Sequence, residues 1–127
     1  MNAQQHILIV DDDETLSRAL GDALRAAGFR VSVASDGEAG LAEAKTSVPD
    51  LLVLDLTLPK LDGTELLREA RLVPALAEVP IVILTNRDDI DSLSQSLENG
   101  PVDFLIKHEH RLEQIVSLIK KRLGVSE

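Results

Sequence analysis

The apolar residues of this chain switch repeatedly between two spacings. Short continuous or alternating runs are followed by repeats of three and four, and the two kinds alternate along the chain. Ile7–Val10 is a continuous run; Leu16, Leu20, Ala23, Leu24 and Ala27 then recur at helical spacing until Gly28 stops the pattern. Val31–Ala34 alternates, Glu38–Lys45 reads as an alanine-rich helix ended by residues 47–49, and Leu51–Leu54 is apolar throughout, as a strand buried on both faces should be. Asp62 and Gly63 open a helix with Leu66, Leu67 and Ala70 on its apolar face, and Pro74 should end it. Pro80 introduces Ile81–Leu84. A helix is expected through Ile90, Leu93 and Leu97 as far as Asn99 and Gly100, then a strand at Phe104–Ile106 and a last helix carrying Leu112, Ile115, Val116, Ile119 and Leu123. Five strand-helix units in strict alternation predict an α/β fold with a parallel five-stranded sheet and helices on both faces, because parallel strands need crossover connections. The pattern does not set the strand order.

At 127 residues the chain is read as one domain, residues 1–127 with a core of about 5–123 and no output domain. The apolar runs are far too short to span a bilayer, and MNAQQHILIV does not read as a signal peptide, so a soluble, cytoplasmic protein is expected. The absence of cysteine excludes disulfides, thiolate metal sites and a cysteine nucleophile. With 13 Lys and Arg against 22 Asp and Glu, the formal charge of -9 repels a phosphate backbone and argues against direct nucleic-acid binding, leaving proteins and cations as partners. Phe29 and Phe104 are the only aromatic residues, so no base-stacking platform can be built.

Chemistry in an open parallel sheet is found beyond the carboxyl ends of the strands. Asp11, Asp12 and Asp13 follow the first strand, Asp55 the third, Thr85 the fourth and Lys107 the fifth. Like charges about 4 Å apart repel by roughly 4 kcal/mol at an effective dielectric near 20, so gathered carboxylates call for a cation. An all-oxygen site with few protein ligands suits Mg2+ or Mn2+, which keep waters and share phosphate oxygens. Asp13 is better placed as the N-cap or a first-turn acid of the first helix. His108 and His110 stand two apart with no third ligand near in sequence and make a poor metal pair; His6 is read as a surface or edge residue, and Lys60 as a solvated loop lysine that could also offset the acid cluster or contact a partner.

Taken together, Val10–Asp12, the run LLVLDLTLP at Leu51–Pro59 followed by Asp62 and Gly63, ILT at Ile83–Thr85 and GPVDFLIK at Gly100–Lys107 resemble the receiver domain of bacterial response regulators, through essentially the whole chain. The resemblance implies a flavodoxin-like, doubly wound (βα)5 fold with strand order 2-1-3-4-5, an order for which the chemotaxis receiver is a standard example. It implies that Asp55 is the phosphoacceptor, taking a phosphoryl group from a histidine kinase or histidine phosphotransfer protein. Asp12, Asp55 and the backbone carbonyl of Thr57 would ligate Mg2+ directly, and Asp11 through a water. Lys107 would pair with the phosphoryl oxygens, and the Thr85 hydroxyl would donate to one of them. Thr85 and Phe104 would form the switch. Output would pass to a downstream protein partner through the face made by the helix through Ile90–Leu97, the fifth strand and the last helix, in a monomer or a phosphorylation-dependent dimer. The protein would be a phosphoacceptor rather than an enzyme.

Three positions depart from the family pattern. His108 stands after Lys107 where proline is usual, and a non-proline cis bond costs about 2.5–4 kcal/mol, so the family's cis peptide loses its support there. Asn86 replaces the commoner small residue beside Thr85, and Pro101 should stiffen the loop before the fifth strand. Two competing functions follow: a receiver-like binding platform that is never phosphorylated, and a Mg-dependent phosphohydrolase. The second is disfavoured because such enzymes generally want another acid two residues after the nucleophile, where this chain has Thr57.

Overall fold

The computed structural model describes residues 4–56, 58, 60–61, 63–85, 102–106 and 109–125, with the side chains of Thr85 and Val102 excepted. The strands are β1 (His6–Val10), β2 (Arg30–Ala34), β3 (Leu51–Leu54), β4 (Ile81–Thr85) and β5 (Val102–Ile106). The helices are α1 (Glu14–Ala26), α2 (Gly37–Thr46), α3 (Gly63–Leu72) and a C-terminal helix (Leu112–Arg122). The helix expected through Ile90–Leu97 lies outside the described residues. All strand pairs are parallel, in the order β2-β1-β3-β4-β5.

Strand periodicity divides the core in two. Leu8, Val10, Leu52, Leu54, Ile81 and Ile83 face one side, where they pack with Leu41 and Ala44 of α2 and Leu66, Leu67 and Ala70 of α3. Ile7, Ile9, Leu51, Val53, Val82 and Leu84 face the other, against Leu20 and Leu24 of α1 and Ile115 and Ile119 of the C-terminal helix. β1 and β3 are buried along their whole length, whereas β2 at the sheet edge is mostly exposed or half-buried. This explains why the first and third runs are continuously apolar while the second alternates.

Local chemistry sets the helix limits. Asp13 and Asp36 cap α1 and α2, accepting from the backbone N–H of Leu16 (3.1 Å) and Ala39 (2.8 Å). After α3, Nη1 of Arg71 donates to the carbonyls of Leu76, Ala77 and Val79 and holds the turn that leads to β4; burial lowers the pKa of this guanidinium. Arg122 donates to Asp103 (2.6 Å) and ties the C-terminal helix to β5.

One expectation is corrected. His6 is neither at the surface nor at an edge: it is the first residue of interior strand β1 and is 2% exposed. Its Nε2 lies 2.9 Å from Ser32 Oγ and its backbone N–H donates to Asp50 Oδ2 at 2.7 Å. The polar partners come from β2 and from the turn before β3, far away in sequence, so a reading of the N-terminal segment alone could not supply them.

Candidate functional site

The chain leaves β1 for β2 on one side, and β3 lies on the other, so the strand order reverses between β1 and β3. In such sheets the crevice at the reversal is where ligands bind. The ladder puts Val10 opposite both Ala34 and Leu54, and it continues one step further: Asp11 N–H donates to Ala34 O (3.0 Å) and Asp55 N–H to Val10 O (2.9 Å). The backbone of both acids is therefore fixed by the sheet.

One carboxylate oxygen from each of Asp11, Asp12 and Asp55 lies within 4.8 Å of the others. Asp11 and Asp55 are buried, at 3% and 5% exposed, and Asp12 faces solvent. Asp11 Oδ1 accepts from the N–H of Asp13 at 2.9 Å, which turns the chain from β1 into α1. Behind this turn, buried Ser17 donates its hydroxyl to Asp13 O (2.7 Å). At 4.8 Å and an effective dielectric near 20, each ionised pair repels by roughly 3–4 kcal/mol, a cost that a divalent cation removes. Two buried acids and one open to water form a hard-oxygen donor set that fits a cation retaining part of its water shell.

Asp13, as expected, caps α1 and is not part of the cluster. Thr85 is the last residue of β4 and is in register with Ile106, the residue before Lys107. Phe104 is half-buried on β5, paired with Ile83 and packed against the α2–α3 side of the core. Thr57, Asn86, Pro101, Lys107 and His108 lie outside the described residues.

The sequence reading missed how the segment after Asp55 is held. Gly63 N–H donates to Leu56 O (2.9 Å), and a Cβ on Gly63 would lie 2.3 Å from Asp55 O and 2.6 Å from Leu56 Cα. Spacing alone marks Gly63 as a helix opener; the structure makes it the space into which the backbone of the Asp55 turn fits. Gly37, at the start of α2, meets the same segment further on, where a Cβ would fall 1.7 Å from Leu61 O. A glycine directly after Asp36 and after Asp62 is a visible signal, but the atoms each accommodates, seven or eight residues away for Gly63 and in another strand-helix unit for Gly37, are not fixed by local spacing. Lys60 has φ +67°, the one positive value at a non-glycine among the described residues, and its Nζ lies 3.8 Å from Asp36 Oδ2.

A family model described as the response regulator receiver domain matches residues 7–120. The transcriptional regulatory protein QseB of Haemophilus influenzae is 41% identical over 122 residues, which are 93% of this chain and 54% of that protein. The chain thus spans about half the length of the curated relatives it matches. Among solved structures, a CheY-like receiver domain protein from Methanospirillum hungatei superposes with a TM-score of 0.85 at 26% identity, covering 96% of this chain and 95% of the other. The receiver domain of a sensor histidine kinase from Pseudomonas aeruginosa has a TM-score of 0.83 at 28% identity over 96% and 99% of the two chains; it carries a magnesium ion coordinated in its active-site cleft.

Proposed function

This chain belongs to the response regulator receiver domain family, and from that premise we propose that it is a phosphoacceptor switch in which Asp55 takes a phosphoryl group from the phosphohistidine of a kinase or phosphotransfer protein. The observation that carries the reading is the convergence of Asp11, Asp12 and Asp55 at the point where the strand order reverses.

Asp12, Asp55 and the Thr57 carbonyl are the proposed direct ligands of Mg2+, and Asp11 acts through a water. Held there, Mg2+ would offset the repulsion among the three carboxylates and would supply charge neutralisation for phosphoryl oxygens. Asp55 is the proposed nucleophile. One of its oxygens forms the new P–O bond as the donor's P–N bond breaks, and the electron pair of that bond leaves with the imidazole. Lys107, which follows Ile106 directly, is the proposed partner of the phosphoryl oxygens, and the Thr85 hydroxyl is the proposed donor to one of them. Phe104, packed beside Ile83, is the proposed packing element of the switch. Output passes by protein contact in the cytoplasm, and no turnover of an external substrate is part of the function.

Intact-protein mass after incubation with a small acyl phosphate and Mg2+ tests this. One added phosphoryl mass is expected in the wild type and none in Asp55→Ala. An adduct that persists in the variant removes Asp55 from its role, and catalytic turnover of a phosphomonoester would favour a hydrolase instead.

A further inference from the structure

We propose that Asp36 and Lys60 form a positioning latch that fixes the segment after Asp55 and thereby tunes cation binding at the acid cluster; the cation-binding half of this rests on the function proposed above. The two oxygens of Asp36 have separate tasks. Oδ1 accepts from Ala39 N–H at 2.8 Å and caps α2, while Oδ2 faces Lys60 Nζ at 3.8 Å. Lys60 holds a left-handed backbone conformation that lysine rarely adopts. A residue in that region persists only where its surroundings over-determine it.

Those surroundings are present. The start of α2 abuts the segment so closely at Gly37 and Leu61 that no Cβ fits, and Gly63 closes its other end by donating to Leu56 O. The ion pair is the polar tie across the same contact. It joins the start of α2 to Lys60, five residues after Asp55 in the chain. Asp36 accepts from Ala39 N–H and pairs with Lys60, and neither residue belongs to the acid cluster, so both act through the backbone they hold.

The sign of the effect separates positioning from simple charge. A lysine acting only as a nearby positive charge repels a cation, so its removal would tighten Mg2+ binding. A positioning lysine gives the opposite result. Asp36→Asn keeps the cap, because Asn caps as well as Asp, and removes the charge. Lys60→Gln removes the other partner, and Lys60→Arg retains it.

The first measurement is amide hydrogen exchange by NMR without metal. Exchange of the Gly63 N–H should be about two- to fivefold faster in Asp36→Asn and in Lys60→Gln, the range an exposed ion pair supports. The double variant should be no faster than either single one, and Lys60→Arg should match the wild type. Unchanged Gly63 protection in both single variants overturns the latch whether or not the protein binds a cation. The second measurement is Mg2+ titration followed by NMR. Weaker binding by a similar factor in both single variants supports the proposal; unchanged or tighter binding in Lys60→Gln overturns it. A wild type that binds no Mg2+ refutes the metal role of the acid cluster and leaves the exchange result to decide the latch.

Discussion

Gly63→Ala tests the tightest contact at the site. An added Cβ would lie 2.3 Å from Asp55 O, 2.6 Å from Leu56 Cα and 3.0 Å from Leu56 O, whereas ordinary contacts begin near 3.4 Å. The atoms it meets are backbone, so relief requires the Asp55 turn or the start of α3 to move by about 1 Å. Overpacking of this kind costs about 1–3 kcal/mol, and the upper end applies where no flexible side chain can give way. Against this, Ala is a better helix former than Gly by at most about 1 kcal/mol, and by less in a first turn. The clash wins, for a net loss of about 1–2 kcal/mol. In a domain of this size that lowers the melting temperature by roughly 4–8 °C. Because the displaced atom belongs to Asp55 itself, phosphoryl acceptance should fall by more than stability does, up to about a hundredfold for a 1 Å misplacement. Calorimetry and the rate of phosphoryl incorporation from an acyl phosphate measure the two effects. Leu72→Ala, at a 78% exposed position on the same helix, is the control and should be close to wild type in both. A Gly63→Ala protein that melts within 1 °C of wild type and accepts phosphoryl groups at the wild-type rate would refute the reasoning.

Two further outcomes are expected. Mg2+ at ten times its dissociation constant should stabilise the fold by about 1.4 kcal/mol; Asp12→Asn should reduce this gain while leaving metal-free stability almost unchanged, since Asp12 is exposed, and an equal gain in calorimetric melts would remove Asp12 from the metal site. Burial, followed by the charge of Arg30, lowers the pKa of His6 below 6.5 in the fold. Below about pH 6.5 the unfolded chain therefore binds a proton that the folded one resists, and stability falls as the pH drops through that window. Denaturant melts of His6→Gln should show a flatter pH dependence there, and an unchanged slope would show that His6 is not the group responsible.

The five strands and the four described helices were legible because burial on one or both faces writes itself into local spacing: β1 and β3 as continuous apolar runs, α1 and the C-terminal helix as repeats of three and four. The limits were less exact. β5 starts at Val102 rather than Phe104, and α2 runs from Gly37 to Thr46, one residue beyond the expected helix at each end. Asp36 went unread as the cap of α2, although an acid followed three residues later by the first helical alanine carries the signal. His6 was misplaced because its burial depends on β1 lying between β2 and β3, a fact of strand order that local spacing does not contain.

What the sequence determined by itself was the set of elements and the candidates at their ends: acids after the first and third strands, a hydroxyl residue after the fourth, an ammonium after the fifth. Periodicity and residue chemistry are local properties, and they survive in one dimension. Only the tertiary structure decided that Asp11, Asp12 and Asp55 converge within 4.8 Å, that Gly63 and Gly37 leave room for backbone rather than merely opening helices, and that Lys60 meets Asp36. All but the Gly63 contact join segments of different strand-helix units, which the crossover connections of a parallel sheet bring together. Distance in space across such a crossover leaves no trace in the spacing of residues along the chain.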